Sequence, residues 1–284
     1  MAVIAVTGSA GLLGRAVMDQ LRAEGHSPRG IDWPGRDERD TVMVDLRHAD
    51  RAKAALDGCE SIIHLAGFPR AGSTAPAEVF GTNTAISFAV AQAAVDLGVK
   101  TVAYASSVSV IGYPFYVRPL VPKILPVTEA EESVAQDAYG LSKAVGEHII
   151  TAAVARSGGT LSAVSLRLPW LQTPDTFWAE VPPVTADGMD ARNLFAYIDT
   201  RDAAAALTAI VARPNEGHHR FFFAALDTFS DRPSAELASH WFPSSALSRT
   251  LTGDSSLIDS SAAIDYLGYK PRHSWRSYPQ PGRS

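Results

Sequence analysis

The chain lacks the residue patterns that mark several large protein classes. Among its 284 residues there is one cysteine, Cys59, so no internal disulfide can form and a reducing compartment is the expected setting. The eight histidines show no His-Glu-x-x-His spacing and no cysteine company, so no metal site is expected. His218 and His219 stand side by side between Gly217 and Arg220, a setting that predicts a loop. Positive charge is not in excess either. Lys and Arg number 25 against 30 Asp and Glu, and the net charge of -5 offers no basic field to nucleic acid or to an anionic membrane. The arginine-rich stretch 29–51 is interleaved with Asp and Glu and reads as a solvated surface. No apolar run is long enough to span a bilayer, and the opening "MAVIAVTGSAG" has no basic leader, so a soluble cytoplasmic protein is expected.

What the chain does have is core-forming material. With 46% hydrophobic and 19% charged residues it can bury one large core, or a core domain with a smaller partner. Short apolar runs at 2–6, 41–44, 61–66, 99–106 and 161–168 have the length and β-branched content of buried strands, and "RGID" at 29–32 fits another. Between them lie helical stretches at 12–24, 49–56, 77–97 and 136–156, the last closed by Gly158 and Gly159. Strand and helix in alternation predict a doubly wound α/β domain, a parallel sheet covered on both faces. After Leu168 the texture turns to Pro and Trp, followed by a helix at 200–212 and a strand-like "RFFFAAL". The expected division is a Rossmann-type dinucleotide-binding domain over 1–168, with helix 200–212 packed back on it. Residues 169–199 and 222–284 form a small substrate-binding lobe.

The segment "VTGSAGLLG" runs from the first strand straight into the first helix. Gly8, Gly11 and Gly14 stand where a tight turn, close approach of backbone to a pyrophosphate and helix packing are needed. The free N–H groups at the helix start, those of Leu12 and Leu13 among them, can hold the phosphates. Asp32, at the end of "RGID", can accept hydrogen bonds from an adenosine ribose and would repel a 2′-phosphate, which favours NAD over NADP. It can also simply open the "DWPG" turn, and Arg15 and Arg36 are cations able to offset the preference.

Two tyrosine–lysine pairs have a spacing of one helical turn. Tyr139 and Lys143 in "YGLSK" start a long helix, which puts both on one face. Tyr266 and Lys270 are separated by Gly268 and followed by Pro271, so they read as a helix end packed on the small lobe. A phenol beside a lysine ammonium is a usable base for an alcohol proton, because the cation favours the phenolate. Ser107 ends the fifth strand at the carboxyl edge of the sheet, where it can orient a substrate oxygen or merely terminate a strand.

Taken in order, "TGSAGLLG", Asp32, "DL" at Asp45 and Leu46, "HLAG", Asn83, "SSVSVIG" and "YGLSK" resemble the extended short-chain dehydrogenase/reductases, the NAD-dependent epimerase/dehydratase group. The resemblance covers about residues 1–212. It implies Tyr139 as the acid/base, Lys143 as its partner and ribose ligand, and Ser107 as third catalytic residue. It also implies NAD contacts at the glycine loop, at Asp45 and Leu46 along the adenine, and at Leu65, Ala66 and Gly67 along the ribose and phosphates. Asn83, Ser106 and Pro169 complete the implied cofactor contacts, with Pro169 near the nicotinamide. In this family the two long helices pair across a homodimer as a four-helix bundle, although ordinary core packing explains the same small and apolar residues.

Where dehydratases carry an Asp-Glu pair after the serine, this chain has Val108 and Ser109, so elimination of water is not expected. The chain further resembles the uronate dehydrogenases, through the "SS" and "IGY" pattern, "LGYKPR" and an arginine ahead of "IDTRD". That arginine is Arg192, which can clamp a carboxylate or phosphate, or can be a surface residue starting a strand. With Ser107, Val108 and Ser109 it makes up the expected substrate contacts. The expected activity is hydride transfer between NAD and a hydroxyl or carbonyl of a small carbohydrate-like substrate. An epimerase that keeps its NAD bound is the alternative, and a non-catalytic dinucleotide sensor is a third.

Overall fold

The computed structural model describes residues 3–35, 41–186, 190–213 and 215–280. The first half alternates as expected: β1 (Val3–Thr7), α1 (Leu12–Ala23), β2 (Ser27–Asp32), β3 (Thr41–Met43), α2 (Ala49–Leu56), β4 (Ser61–His64), α3 (Pro76–Asp96) and β5 (Thr101–Ser107). There follow β6 (Ile124–Leu125), α4 (Ala138–Arg156), β7 (Ser162–Leu168), β8 (Trp170–Gln172), α5 (Pro174–Ala186), β9 (Tyr197–Asp199) and α6 (Thr200–Val211). The chain ends with β10 (His218–Phe222), α7 (Ser234–Trp241), β11 (Ala246–Leu247) and α8 (Ser261–Leu267).

Seven strands form one sheet in the order β10-β7-β5-β4-β1-β2-β3. Every neighbouring pair in it is parallel. This is the doubly wound arrangement that buried, β-branched strands joined by helical crossovers favour. Helices cover both faces. On one, α2, α3 and α4 bury Ile86, Val90 and Ile150 against β1, β4 and β5. On the other, α1, α6 and α8 bury Val17, Leu207 and Leu267 against the same sheet. The chain leaves β1 for β2 on one side and reaches β4 on the other, so a crevice opens beyond the carboxyl ends of β1 and β4.

A further buried cluster lies past that crevice. It gathers Val108, Val110, Leu125, Phe177, Phe195, Phe229, Leu257 and Trp275 from well-separated stretches. Residues near 108–113 and 125–127, expected in the first domain, pack here. Conversely, Ala263 and Leu267 of α8, assigned to the lobe, pack in the first core. Tyr266 sits there too, its ring 5.0 Å from that of Phe221 on β10.

One expectation is corrected. His218 and His219 are in β10, paired with Ala163 and Val164 of β7, and not in a loop. The polar ring of His218 is accommodated because Ser165 Oγ lies 2.8 Å from its Nε2 and Thr151 Oγ1 lies 2.9 Å from its Nδ1. Among the described residues, no helix is long and apolar enough to cross a membrane.

Candidate functional site

The glycine loop is built by crowding. Gly8 follows β1 at φ 74°, and a Cβ there would stand 2.9 Å from the Ala66 nitrogen. At Gly14 the crowding is worse: a Cβ would lie 2.1 Å from the Gly8 carbonyl oxygen. The first turn of α1 can therefore rest directly on the strand-to-helix turn. Gly11, its N-cap, gives no side-chain cap, and no acidic residue stands in the first turn. The orphan N–H groups and the positive end of the helix are thus left for an anion. Asp32 braces the loop, its Oδ2 accepting the Ala10 N–H at 2.7 Å and its Oδ1 the Trp33 N–H at 2.7 Å. Gly8, Gly11, Leu12, Leu13, Gly14 and Asp32 all line one cavity of about 1530 Å³. Drug-sized ligands fill roughly 300–1,000 Å³, so this volume suits a dinucleotide together with a second molecule. Arg36, weighed as a cation near the adenosine, lies outside the described residues.

Leu46, Leu65, Ala66 and Gly67 also line the cavity. Thr7 fixes the turn after β4, its hydroxyl oxygen accepting the Leu65 and Ala66 N–H groups at 3.2 Å each. That leaves the Thr7 proton for Nδ1 of His64, at 2.7 Å. Burial pushes His64 down to about 3, so the ring is neutral, and it stacks on Tyr104 at 5.4 Å. Two expected cofactor residues do not bring their side chains to the cavity wall. Asp45 turns its carboxylate to the Arg47 guanidinium, at 2.8 and 3.0 Å. Asn83 stands behind the wall, its Oδ1 accepting the Phe68 N–H at 2.7 Å and its amide donating to Ser142 Oγ at 3.0 Å.

The tyrosine and lysine are presented by the start of α4. Asp137 caps the helix by accepting from the Tyr139 and Gly140 N–H groups at 2.8 and 3.0 Å. Gly140 is needed because a Cβ there would lie 2.4 Å from the Ser109 carbonyl oxygen. Its absence lets the first turn of α4 sit against the short 3₁₀ turn Val108–Ile111, bringing Tyr139 to Ser107. The Ser107 hydroxyl donates to Ser109 Oγ at 3.0 Å and is close enough to the Tyr139 phenol to favour its ionised form. Lys143 donates to the Ala105 carbonyl at 2.7 Å, its Nζ 5.9 Å from the Tyr139 ring centre. Burial pushes the Tyr139 phenol up to about 12, opposed by the neighbouring Ser107 hydroxyl. The same burial pushes Lys143 down to about 8, opposed by the charge of Glu147. Ser106, Ser107, Tyr139, Lys143 and Pro169 all line the cavity, and neither Tyr266 nor Lys270 does.

Behind this trio lies an ionic network that the motifs did not reveal. Glu147, one turn beyond Lys143, accepts from Ser106 Oγ at 2.7 Å and from the Arg167 guanidinium at 3.0 and 2.9 Å. Both charges are buried, and Arg220 stands 3.4 Å from the same carboxylate. The available signals were Glu147 on the Lys143 helix face and a charge, Arg167, inside an apolar strand.

At the other end of the cavity are Val108, Ser109, Phe115, Tyr116 and Arg192. Phe115 meets the Tyr139 ring edge-on at 6.0 Å. Arg192 does not begin a strand; it sits in the 3₁₀ turn Asp190–Asn193, ahead of Leu194 and Phe195 at φ 54° and 51°. Two successive bulky residues in the left-handed region are strained, and their full burial holds them there. The Arg192 guanidinium lies 4.3 Å from the Tyr116 ring centre and donates to the Tyr116 carbonyl at 2.6 Å. Its Nε is buried with no hydrogen-bond partner among the described residues.

Comparison with known proteins agrees with this geometry. Over 181 residues the chain is 31% identical to an L-arabinose 1-dehydrogenase (NAD(P)(+)) of Haloferax volcanii, a match covering 62% of this chain and 69% of that protein. It is 32% identical over 169 residues to a uronate dehydrogenase of Pseudomonas syringae pv. tomato, covering 57% of each. A solved structure, MoeE5 in complex with UDP-glucuronic acid and NAD, superposes with a TM-score of 0.72 at 22% identity, over 98% of this chain and 96% of that one. The fold is therefore shared with a protein solved with NAD, and the uncapped helix start and glycine cradle described above fit that cofactor. Residues 4–223 match the NAD dependent epimerase/dehydratase family, and the chain belongs to that family.

Proposed function

We propose that this protein is a dehydrogenase that moves a hydride between NAD and a hydroxyl or carbonyl carbon of a small carbohydrate-like substrate, with Tyr139 as acid and base. The observation that carries the reading is that Ser107, Tyr139 and Lys143 line the same cavity as the glycine loop. Ser107 orients the substrate oxygen and Tyr139 takes its proton. With the phenol at about 12, only about one molecule in 100,000 is ionised at pH 7, so the base must be assisted. Lys143 at about 8 is mostly protonated at that pH, and its charge favours the phenolate. NAD, when bound, supplies the hydride acceptor and a positive ring beside the phenol.

The substrate class is read from the far wall. Arg192, which lines the cavity and whose Nε has no hydrogen-bond partner among the described residues, is suited to a carboxylate or phosphate, and Phe115 and Tyr116 supply apolar faces. Val108 and Ser109 bring no acid that could remove a hydroxyl, which argues against dehydration. The test is the near-ultraviolet absorbance of NADH during incubation with NAD and a panel of aldoses, uronates, polyols and nucleotide sugars. Accumulating NADH supports the dehydrogenase. No NADH with any of them, and cofactor released only on denaturation, favours an epimerase with captive NAD, which the family also contains by name.

A further inference from the structure

The adenosine end of the cleft departs from what the "DL" motif implies. Asp45 and Leu46 follow β3, and Trp33 follows β2. The Val44 N–H donates to the Asp32 carbonyl at 2.8 Å, so the two strand ends lie side by side. Both Trp33 and Arg47 line the cavity there, together with Val44 and Leu46. The Arg47 guanidinium carbon stands 4.6 Å from the centre of the Trp33 ring. Asp45 is the residue that fixes it: its two oxygens take the guanidinium in a fork, and its Oδ1 also accepts the Arg47 N–H at 3.0 Å. His48 approaches the same carboxylate at 3.5 Å, and Glu78 faces Arg47 from α3. Asp45 is thus occupied and only 8% exposed, whereas the indole beside the cleft is 41% exposed.

We propose that the adenine ring of NAD is held by its face, on a platform made by Trp33 and Arg47, with Asp45 acting as the residue that positions Arg47. The proposal rests on the NAD reading of the cavity. A planar cation locked by a carboxylate and an exposed indole offer a purine both stacking and cation–π contact. Face recognition of this kind is indifferent to the purine's exocyclic group. Direct contact through Asp45 would instead read the adenine amine.

The two cases separate by titration calorimetry with NAD, ADP-ribose and the hypoxanthine analogue of NAD, which lacks that amine. Trp33→Ala is expected to weaken NAD and ADP-ribose by about tenfold or more. Arg47→Gln is expected to weaken both in the same direction. NAD and its hypoxanthine analogue should bind the unaltered protein within about threefold of each other, and Asp45→Asn should leave that ratio unchanged. Unchanged affinity in folded Trp33→Ala would overturn the platform. So would strong rejection of the hypoxanthine analogue that disappears in Asp45→Asn. Failure of the unaltered protein to bind NAD at all would overturn the cofactor reading, and this one with it.

Discussion

Replacing Lys143 by methionine is expected to stabilise the empty protein while ending its turnover. The lysine is 6% exposed, with one hydrogen bond to a carbonyl. Burial lowers it from 10.5 to about 8, a difference equivalent to about 3 kcal/mol. The sign follows from proton counts. Below pH 8 both folded and unfolded states hold the proton, and the fold carries the full cost of the buried charge. Between pH 8 and 10.5 the folded lysine is neutral while the unfolded one still binds a proton, so stability from this group rises with pH. Tyr139, raised to about 12, stays neutral in both states until about pH 10 and does not disturb that window. Methionine removes the cost but forfeits the bond to the Ala105 carbonyl, worth about 1 kcal/mol. The expected net gain is about 2 kcal/mol at pH 7, fading to near zero at pH 10. Urea unfolding of both proteins at the two pH values, without cofactor, measures it. No gain at pH 7, or the same gain at both, would refute the account of Lys143 as a desolvated charge kept for chemistry.

Tyr139→Phe is expected to lower turnover by about 100-fold or more and to leave NAD affinity nearly intact, read by steady-state kinetics and calorimetry; unchanged turnover would remove Tyr139 from the mechanism. In Gly14→Ala the new Cβ meets the backbone of Gly8 and Ser9, so strain of about 1–3 kcal/mol and a loss of NAD affinity of at least about tenfold are expected. Retained affinity there would mean the loop does not hold the cofactor. Arg167→Met leaves the buried Glu147 carboxylate with only Ser106 and the partly exposed Arg220 and should cost up to about 3–5 kcal/mol, with the double variant Glu147→Gln/Arg167→Met recovering most of it in chemical denaturation. Phe88 on α3 and Leu141 on α4 are 58% and 47% exposed, which suits a paired-helix dimer. Sedimentation should give a dimer at micromolar concentration and a monomer for Phe88→Glu, and a monomer of the unaltered protein would exclude that arrangement.

The central sheet was legible because its information is local. "AVIAV" is apolar throughout and "SIIHLA" nearly so, as strands covered on both faces favour, and Gly8 and Gly14 punctuate a turn where backbone has to approach backbone. The Tyr139–Lys143 pair was equally local, one turn of one helix. What escaped depends on partners distant in the chain. Nothing near Glu147 announces Arg167, and nothing near His218 announces Ser165 and Thr151, whose hydroxyls allow a histidine in an edge strand. Asp45 escaped differently: its motif told where the backbone runs, but Arg47 two residues later decides where the carboxylate points.

The cluster of 108–127, 177–197, 222–258 and 275–278 has a consequence for the chain as it is made. Trp275 stacks on Phe177 at 5.0 Å, and the Tyr278 hydroxyl donates to Asp199 at 2.6 Å, so residues 275–278 complete this cluster. At roughly 5–20 residues per second, the apolar residues near position 110 wait on the order of ten seconds or longer for those partners to emerge. Much of the central sheet can form during that interval from contacts already present, whereas the cluster is complete only once residues 275–278 have been made. Until then the newborn chain carries an open apolar face, and it is over this face that chaperones and aggregation compete.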